Sequence, residues 1–383
     1  MTLQELMFGF DRVRLAKPSD NAEILELYES QAMNSGGLTL SYSRKGDFFR
    51  FTKHQGKKSF TFLFCNSNGS IGGLATYVLS EGWIEGSVKP MGYMCDARVS
   101  RDADKETKEE WRRFYVHTVM NSHLVEEFEY CEYMFSAILD ANKIALRAFK
   151  REESPLEFSP SQKYQAFQVM GKKWFRSKPS PFNVRKIAAH ERQKLYDFLQ
   201  LANRKKSLGF TGSELSRRET NWNHFSWESF LICTDSEGHW LAVTAPKSFS
   251  DSRSLVVEKA TPTILLLSHL ARLFGGPSLK ENQELETTYL THLEFAPHLT
   301  SETRLNCVGS FIDLLFTDIV TKKGHLLSFY WPAKEGVACH RALSKYLIQS
   351  TSGTYYQIYP KTRADKLRLF SDLTDISFEV GLA

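Results

Sequence analysis

The chain has 383 residues, a length that allows two domains, each with its own core. Apolar residues make up 42% and charged residues 24%, which excludes a disordered or fibrous protein, and the aromatic share of 13% predicts ring-filled cores or a ring-lined pocket. The net charge of +5 is mild and spread along the chain, so we expect no nucleic-acid partner. No apolar run is long enough to span a bilayer and no targeting segment opens the sequence, so we expect no membrane partner and a cytoplasmic location.

In the first part of the chain, apolar periodicity and turn residues predict a regular series of elements. A strand at 13–16 precedes a turn at Pro18 and a helix that starts at Asn21 and ends near Ser35. Residues 38–58 are polar and aromatic, and we interpret them as a second helix followed by a loop. Strands at 59–65 and 71–80 flank an Asn-Ser-Asn-Gly turn and form a hairpin.

Residues 91–151 form the stretch around which the chain is organised. They read as a strand, a charged loop, a helix, a second strand and a second helix, that is, as a βαβα unit whose parallel strands splay around the start of the first helix. Unpaired backbone N–H groups and the helix dipole make such a start an anion site. The unit therefore predicts a phosphate-bearing ligand. A strand at 166–175 closes this part of the chain.

The second part of the chain repeats this order. Residues 178–182 contain two prolines and no apolar period, so we interpret them as a linker between domains at 1–177 and 183–383. After the linker we predict a strand at 183–187, a helix at 188–203, a hairpin at 229–245, a helical insert at 262–274, a strand at 287–295, a helix at 301–320, a strand at 325–330, a helix at 337–349 and a strand at 354–359.

The order of elements resembles the GNAT superfamily of N-acetyltransferases, and one local motif supports the resemblance. That family's fourth helix often begins as Asn-x-x-Ala-x-x-x-Tyr, and here the frame holds Asn142, Ala145 and Phe149. In the second half the frame is reduced to Cys339, Ala342 and Tyr346. The resemblance implies an α+β fold of two tandem GNAT-like domains, each a mixed, mainly antiparallel sheet flanked by helices.

The resemblance also implies acetyl-CoA or another acyl-CoA as the cofactor of the first half. Its loop at 102–110 lacks the glycines typical of the family, so basic side chains would supplement the helix start. The acidic residues of the loop favour the alternative, a solvated helix start without ligand. Candidate cofactor contacts are Arg98, Val99, Lys105, Lys108, Arg112, Arg113, Asn142 and Phe149. The second half also lacks a glycine loop, and we expect it to form a substrate wall instead.

Acyl transfer to an amine needs a base and sometimes an acid. Asp96 lies within an apolar strand, where burial would make it a proton acceptor; the alternatives are a salt bridge to Arg98 and exposure to solvent. Glu81 and Glu85, at the end of the hairpin, are further candidates. Phe149 stands where the family often has a tyrosine that acts as the general acid, so the first half lacks that acid.

The second half offers three more candidates. Glu294 and His292 lie two residues apart on one strand and would face the same side, as a proton relay or as a structural hydrogen bond. Tyr346 would supply the missing acid if both halves face one cleft.

Other classes of site have no support in the sequence. The six cysteines are far apart, without a CxxC pair, which predicts reduced core thiols rather than disulfides or a zinc site. No histidine spacing suits a metal, and no G-x-S-x-G, Walker or dinucleotide motif occurs in the required context.

The resemblance to the GNAT superfamily therefore implies an acyl-CoA-dependent N-acyltransferase that moves an acetyl or acyl group directly to a small-molecule or peptide amine. Two alternatives stay open. One is a non-catalytic, degenerate GNAT fold that binds a peptide or small ligand between its halves. The other is an aminoacyl transferase of the FemABX type, which also uses paired GNAT-like halves.

Overall fold

The computed structural model describes residues 1–35, 38–149, 153–173, 182–276 and 278–367, so residues 178–181 of the predicted linker lie outside it. The N-terminal half (residues 1–177) contributes α1 Leu3–Met7, β1 Val13–Leu15, α2 Asn21–Glu29, β2 Met33–Ser35, β3 Leu38–Ser43, α3 Phe48–Gln55, β4 Lys58–Cys65, β5 Ile71–Ile84, β6 Ser87–Val99, α4 Lys105–Asn121, β7 Tyr133–Leu139, α5 Lys143–Phe149 and β8 Leu156–Lys172.

The C-terminal half (residues 183–383) repeats much of this order. It contributes β9 Asn183–Lys186, α6 Arg192–Arg204, β10 Gly209–Phe210, α7 Gly212–Asn221, β11 Leu231–Thr234, β12 Trp240–Ser248, β13 Ser254–Ala260, α8 Pro262–Arg272, β14 Gln283–Leu285, β15 Thr287–Phe295, α9 Ser301–Leu315 with a π-helical turn at Phe316–Lys322, β16 Leu326–Pro332, α10 Gly336–Ala342, β17 Tyr346–Pro360 and α11 Ala364–Leu367.

One large sheet runs through both halves. Among the described residues it has thirteen strands in the order β1-β4-β5-β6-β7-β17-β8-β16-β15-β12-β11-β9, with β10 paired to β5. Most neighbours are antiparallel, and helices flank the sheet. This architecture confirms the predicted α+β fold class.

Parallel pairing occurs at the βαβα unit of each half. In the N-terminal half, β6 pairs with β7 from Met91 opposite Tyr133 to Tyr93 opposite Phe135. In the C-terminal half, β15 pairs with β16 over 287–289 and 326–328. The predicted strand–helix–strand units are therefore confirmed in both halves.

The two halves exchange their final strands. β17, from the C-terminal half, lies between β7 and β8, whereas β8, from the N-terminal half, lies between β17 and β16. Each half therefore completes the hydrogen bonding of the other, because the last strand of each supplies ladder partners to both.

A second sheet of four strands, β14-β13-β3-β2, also joins the halves. Its central pair joins β3 to β13, with Leu255 opposite Tyr42. Here two predictions were wrong: the helix that begins at Asn21 ends at Glu29 rather than near Ser35, and residues 38–43 form a strand before the second helix, α3. The partner strand, more than 200 residues away, explains why local periodicity missed β3.

The prediction of a helix at 337–349 was also wrong for its last residues. α10 ends at Ala342, and Tyr346 is the first residue of β17, where it pairs with Lys172 of β8. The following residues are rich in aromatic and β-branched side chains, and their long ladder with β8 outweighs helical spacing.

The aromatic residues fill the cores, as their share predicted. Phe114 of α4 packs with its ring centroid 4.9 Å from that of Phe62, and Tyr77 stacks on Phe128 at 4.0 Å. All six cysteines are free, and four of them are buried. In the described part of the chain, every helix is too short or too polar to cross a membrane.

Candidate functional site

The candidate site lies where β6 and β7 part. Their ladder ends at Tyr93 and Phe135, but β6 continues to Val99 as a partner of β5. At the point of divergence the Ser136 hydroxyl donates to the Met94 carbonyl at 2.9 Å. Residues 94–99 are all at least partly exposed, and Ala97 is exposed although it lies within a strand. The divergence therefore leaves this part of β6 accessible, and we call the space between the two strands the open cleft.

The start of α4 borders this cleft, and no side chain caps its first turn. Its N-cap residue, Asp104, directs its carboxylate elsewhere: it accepts hydrogen bonds from Ser67 N at 2.7 Å, Ser67 Oγ at 2.8 Å and Arg12 Nη1 at 3.3 Å. Hydrogen bonds from Ser67 and then Arg12 lower the pKa of Asp104. The N–H groups of the first turn thus keep their capacity for an anion.

The predicted basic cluster does not converge on this helix start. The Lys105 side chain is 84% exposed and lies 3.8 Å from Glu109, while Lys108 donates to the Arg101 carbonyl at 3.2 Å. Arg112 is seven residues along the helix, about 10 Å from its start, and the guanidinium of Arg113 lies 5.7 Å from the Phe10 ring centroid. Of the four, Lys105 and Lys108 are near the first turn.

Asp96 occupies an irregularity in β6 where the ladder with β5 shifts register, and its φ is +52°. Its carboxylate accepts from Arg44 Nη2 at 2.6 Å and from Tyr28 Oη at 3.2 Å. The alternative of a salt bridge between Asp96 and Arg98 is therefore wrong. Arg98 stacks on Tyr28 instead, with its guanidinium carbon 4.9 Å from the ring centroid, and Val99 accepts from Gln31 Nε2 at 3.0 Å through its carbonyl.

Burial controls the electrostatics around Asp96. Desolvation disfavours a charged Arg44, yet Asp96 and Tyr28 raise the pKa of the Arg44 guanidinium above its ordinary value. Burial raises the pKa of Tyr28 to about 12 and that of Cys95 well above its usual range. Asp96 is thus half of a buried ion pair, rather than an isolated proton acceptor.

The corresponding cleft of the C-terminal half is filled. His292, with φ of +50°, occupies the matching register shift in β15, where the neighbouring Leu290 and Thr291 are buried. Phe295 and Trp331 close the diverging end with their ring centroids 5.7 Å apart. Thr300 caps α9 by accepting the Thr303 N–H at 3.3 Å.

The candidates in the C-terminal half are held by structural partners. Glu294 ion-pairs with Lys206 and accepts from Asn203 Nδ2 at 3.2 Å. His292 lies 2.9 Å from Arg218 Nη1 and stacks on Phe225. Burial, then Arg218, hold the pKa of His292 well below its usual range.

Tyr346 lies in a separate polar cluster. Its hydroxyl donates to Asp313 at 2.5 Å, and Asp313 also pairs with Lys172 and Lys345. Burial and the Asp313 carboxylate raise the pKa of Tyr346. Since Tyr346 begins β17, its assignment to a fourth helix was wrong.

The remaining candidates lie away from the bulge. Glu85 occupies the tip of the β5–β6 hairpin, roughly 30 Å along β6 from Asp96, whereas Glu81 accepts from Thr211 Oγ1 at 2.7 Å. Asn142 caps its own helix by accepting the Ala145 N–H at 3.1 Å, and Phe149 is the last residue of α5.

The sequence interpretation missed Arg44 and Tyr28, the two partners of Asp96. Arg44 follows a strand that was itself missed, and Tyr28 was treated as one apolar position of α2. No sequence spacing links residue 44 to residue 96, because tertiary folding brings them together. In the described residues no group of three or more His, Cys, Asp or Glu is arranged to hold a metal ion.

No protein-family model matches this sequence. No curated protein sequence matches it either. Solved structures do match. The chain is similar to a GCN5-related N-acetyltransferase from Sphaerobacter thermophilus, with a TM-score of 0.50 and 10% identity over 91% of this chain and 95% of that one. It is also similar to the N-myristoyltransferase of Saccharomyces cerevisiae with bound myristoyl-CoA, with a TM-score of 0.53 and 8% identity over 91% of this chain and 83% of that one.

A third similar structure is the glucosamine N-acetyltransferase region of a fungal multi-domain GH3 β-N-acetylglucosaminidase, with a TM-score of 0.56 and 10% identity over 90% of this chain and 38% of that one. At these identities the likeness establishes the fold. The chain has the GNAT fold.

Proposed function

We propose that the chain is an acyl-CoA-dependent N-acyltransferase whose N-terminal half binds the acyl-CoA. The observation that carries the proposal is the open divergence of β6 and β7 beside the uncapped start of α4. Three similar structures are named as N-acyltransferases, and one of them holds myristoyl-CoA. The C-terminal half, whose cleft is filled, would form part of the acceptor wall.

The residues of the N-terminal half fit such a ligand. The backbone N–H groups of residues 105–107 would hold a phosphate, and the partly exposed edge of β6 over 94–99 would line the acyl arm. When bound, acyl-CoA would supply the thioester, whose C–S bond breaks as the amine nitrogen forms the amide bond and its proton passes to the released thiolate. Asp96, paired with Arg44, would act as a positioning residue that fixes the bulge of β6.

A non-catalytic ligand-binding protein of the same fold is the second candidate. It is favoured by the ion pair that occupies Asp96 and by the absence of glycine between residues 102 and 110. Both candidate functions place a ligand in the cleft, but only the transferase would convert an acyl-CoA and an amine into products.

Isothermal titration with acetyl-CoA and with longer acyl-CoAs tests the first step, and release of free thiol in the presence of amines tests the second. Micromolar binding, about −8 kcal/mol, together with amine-dependent thiol release would support the transferase. Binding without thiol release over a broad amine panel would favour the second candidate. No heat with any acyl-CoA would contradict the proposed function.

A further inference from the structure

Three arginines and two aromatic rings alternate beside the bulge of β6. The guanidinium carbon of Arg98 lies 4.9 Å from the Tyr28 ring centroid, and that of Arg44 lies 4.7 Å from the same ring. Arg44 is also 4.6 Å from the Phe51 centroid, and Arg253 is 4.2 Å from Phe51. We name the series Arg98, Tyr28, Arg44, Phe51 and Arg253 the arginine ladder.

The ladder joins both halves of the chain. Arg98 belongs to β6 and Arg44 follows β3, whereas Arg253 comes from the segment of the C-terminal half that leads into β13. That segment reaches the N-terminal half through the β3–β13 ladder. The C-terminal half therefore contributes a cation next to the open cleft of the N-terminal half.

Two of the three cations of the ladder are buried. Asp96 pairs with Arg44, and the carboxylate of Glu29 accepts the Arg44 backbone N–H at 3.0 Å. Arg44 is 0% and Arg253 is 9% exposed, which places two of these cations away from water. A buried cation is unfavourable unless hydrogen bonds and a nearby anion compensate it.

Some hydrogen-bond donors of Arg44 and Arg98 lack acceptors. The Nε and Nη1 atoms of the fully buried Arg44 have no hydrogen-bond partner among the described residues, and neither does the buried Nε of Arg98. Arginine presents its donors as a planar fork that suits a carboxylate. Aromatic faces satisfy part of this demand, but they carry no formal charge.

The accessible end of the ladder meets the proposed acyl-CoA cleft. Arg98 is partly exposed and directly follows the exposed Ala97, at the edge of β6 that diverges from β7. A ligand that entered the cleft would reach Arg98 first. An anionic group there would lie within a few residues of the bulge at Asp96.

We propose that the arginine ladder binds a carboxylate of the acceptor, so that the acceptor is an amine that also carries a carboxyl group, such as an amino acid or a peptide terminus. The statement that the carboxylate belongs to the acceptor rests on the proposed function. The anion site itself rests on the arginine ladder. Arg98 would contact the carboxylate. The positive charges of Arg44 and Arg253, further along the ladder, would add a favourable electrostatic potential.

The test compares the common amino acids, each with its own carboxamide, and inorganic phosphate as ligands of the full chain, by melting temperature and then by calorimetry. We expect one or more amino acids to bind and their amides to bind at least about tenfold more weakly, since the charge-assisted contact is lost. Arg98→Gln should abolish that preference, and Arg98→Lys, which keeps the charge but not the planar fork, should retain part of it.

The matched control is Arg192→Gln, because Arg192 also lies over an aromatic ring, 5.7 Å from Trp227, but in the C-terminal half. It should leave the preference unchanged. The inference is overturned if no acid binds better than its amide, if phosphate binds better than every carboxylate, or if Arg98→Gln keeps the preference.

Titration with acetyl-CoA on the same preparation separates the two proposals. Carboxylate binding without acetyl-CoA binding would leave the anion site standing and remove the acyltransferase. Acetyl-CoA binding without any preference for acids over amides would leave the proposed acyl-CoA site standing and remove the carboxylate site.

Discussion

Asp96 of β6 and His292 of β15 hold equivalent positions in the two halves: their φ angles are +52° and +50°, and each lies at the register shift of the strand that precedes the long helix of its half. The backbone geometry is shared but the chemistry is not. Asp96 pairs with Arg44 beside an open cleft, whereas His292 is packed among aromatic rings in a closed one. The two halves therefore share one backbone architecture but differ in the side chains at this position.

Alignment on these two residues places Ala97 opposite Leu293, which suggests a direct way to close the cleft. Ala97 is exposed in the N-terminal half, while Leu293 packs against the core of the C-terminal half. We expect Ala97→Leu to weaken acetyl-CoA binding at least tenfold, about 1.4 kcal/mol, with little change in melting temperature. Calorimetry checks this, and Leu293→Ala should leave the affinity unaltered; equal affinity of Ala97→Leu and the parent would refute the placement of the acyl arm.

The ion pair of Arg44 and Asp96 should contribute strongly to stability, since both side chains are buried. Asp96→Asn removes the charge that compensates Arg44, and we expect the free energy of unfolding to fall by about 3–5 kcal/mol. Urea denaturation measures the change. Glu109→Gln, at the exposed ion pair with Lys105, is the control and should cost less than about 1 kcal/mol; a similar small cost for Asp96→Asn would mean that the pair is not buried in solution.

Stability should decrease as the pH falls below about 6.5. Burial lowers the pKa of His54 to about 4, although Asp251 opposes the effect, so in this window the unfolded chain binds a proton that the folded chain does not. His54 contributes a slope of at most about 1.4 kcal/mol per pH unit, and His292 acts in the same direction. His54→Phe, which keeps a ring between Phe51 and Phe249, should flatten the dependence.

The measurement is the urea midpoint at several pH values between 7 and about 4.5. His239→Gln serves as the control because the His239 side chain is 70% exposed. A parent-like slope in His54→Phe would contradict the burial of a neutral imidazole.

The exchange of β8 and β17 predicts that the halves depend on each other for folding. A fragment of residues 1–173 would lack β17, one of the two partners of β7, and a fragment of residues 182–383 would lack β8, a partner of both β16 and β17. We expect each fragment alone to be unfolded or aggregated because of its unpaired strand edges, and the whole chain to unfold in one transition. Circular dichroism checks this, and a well-folded single fragment would show that the exchange is dispensable.

Local patterns were sufficient for most of the architecture. The βαβα unit around α4 and its repeat around α9 followed from strand and helix periods, since each of these elements has a strong apolar face. The β4–β5 hairpin followed from its turn at Asn66 to Gly69. Because both halves showed the same order of elements, the amino-acid sequence was enough to indicate the GNAT-like topology.

Long-range pairing accounts for the failures. β3 depends on β13, and the start of β17 depends on β8, so neither shows its structure in its own sequence. A salt bridge to its sequence neighbour Arg98 was one of the alternatives for Asp96, but folding supplies Arg44 from another segment. The candidate site lies in the βαβα unit that the sequence singled out, whereas the pairing of Asp96 with Arg44 could not be predicted.

The most direct test of the account uses a proline at the first position of each long helix. Proline is tolerated there and removes one N–H group. Lys105→Pro therefore deletes one donor from the uncapped start of α4, with Lys105→Ala as the charge control, and Ser301→Pro makes the same change in α9, where Thr300 provides a cap. We predict that calorimetry will show acetyl-CoA binding weakened at least about tenfold by Lys105→Pro, but not by Lys105→Ala or Ser301→Pro; unchanged binding in Lys105→Pro would contradict a cofactor site in the N-terminal half.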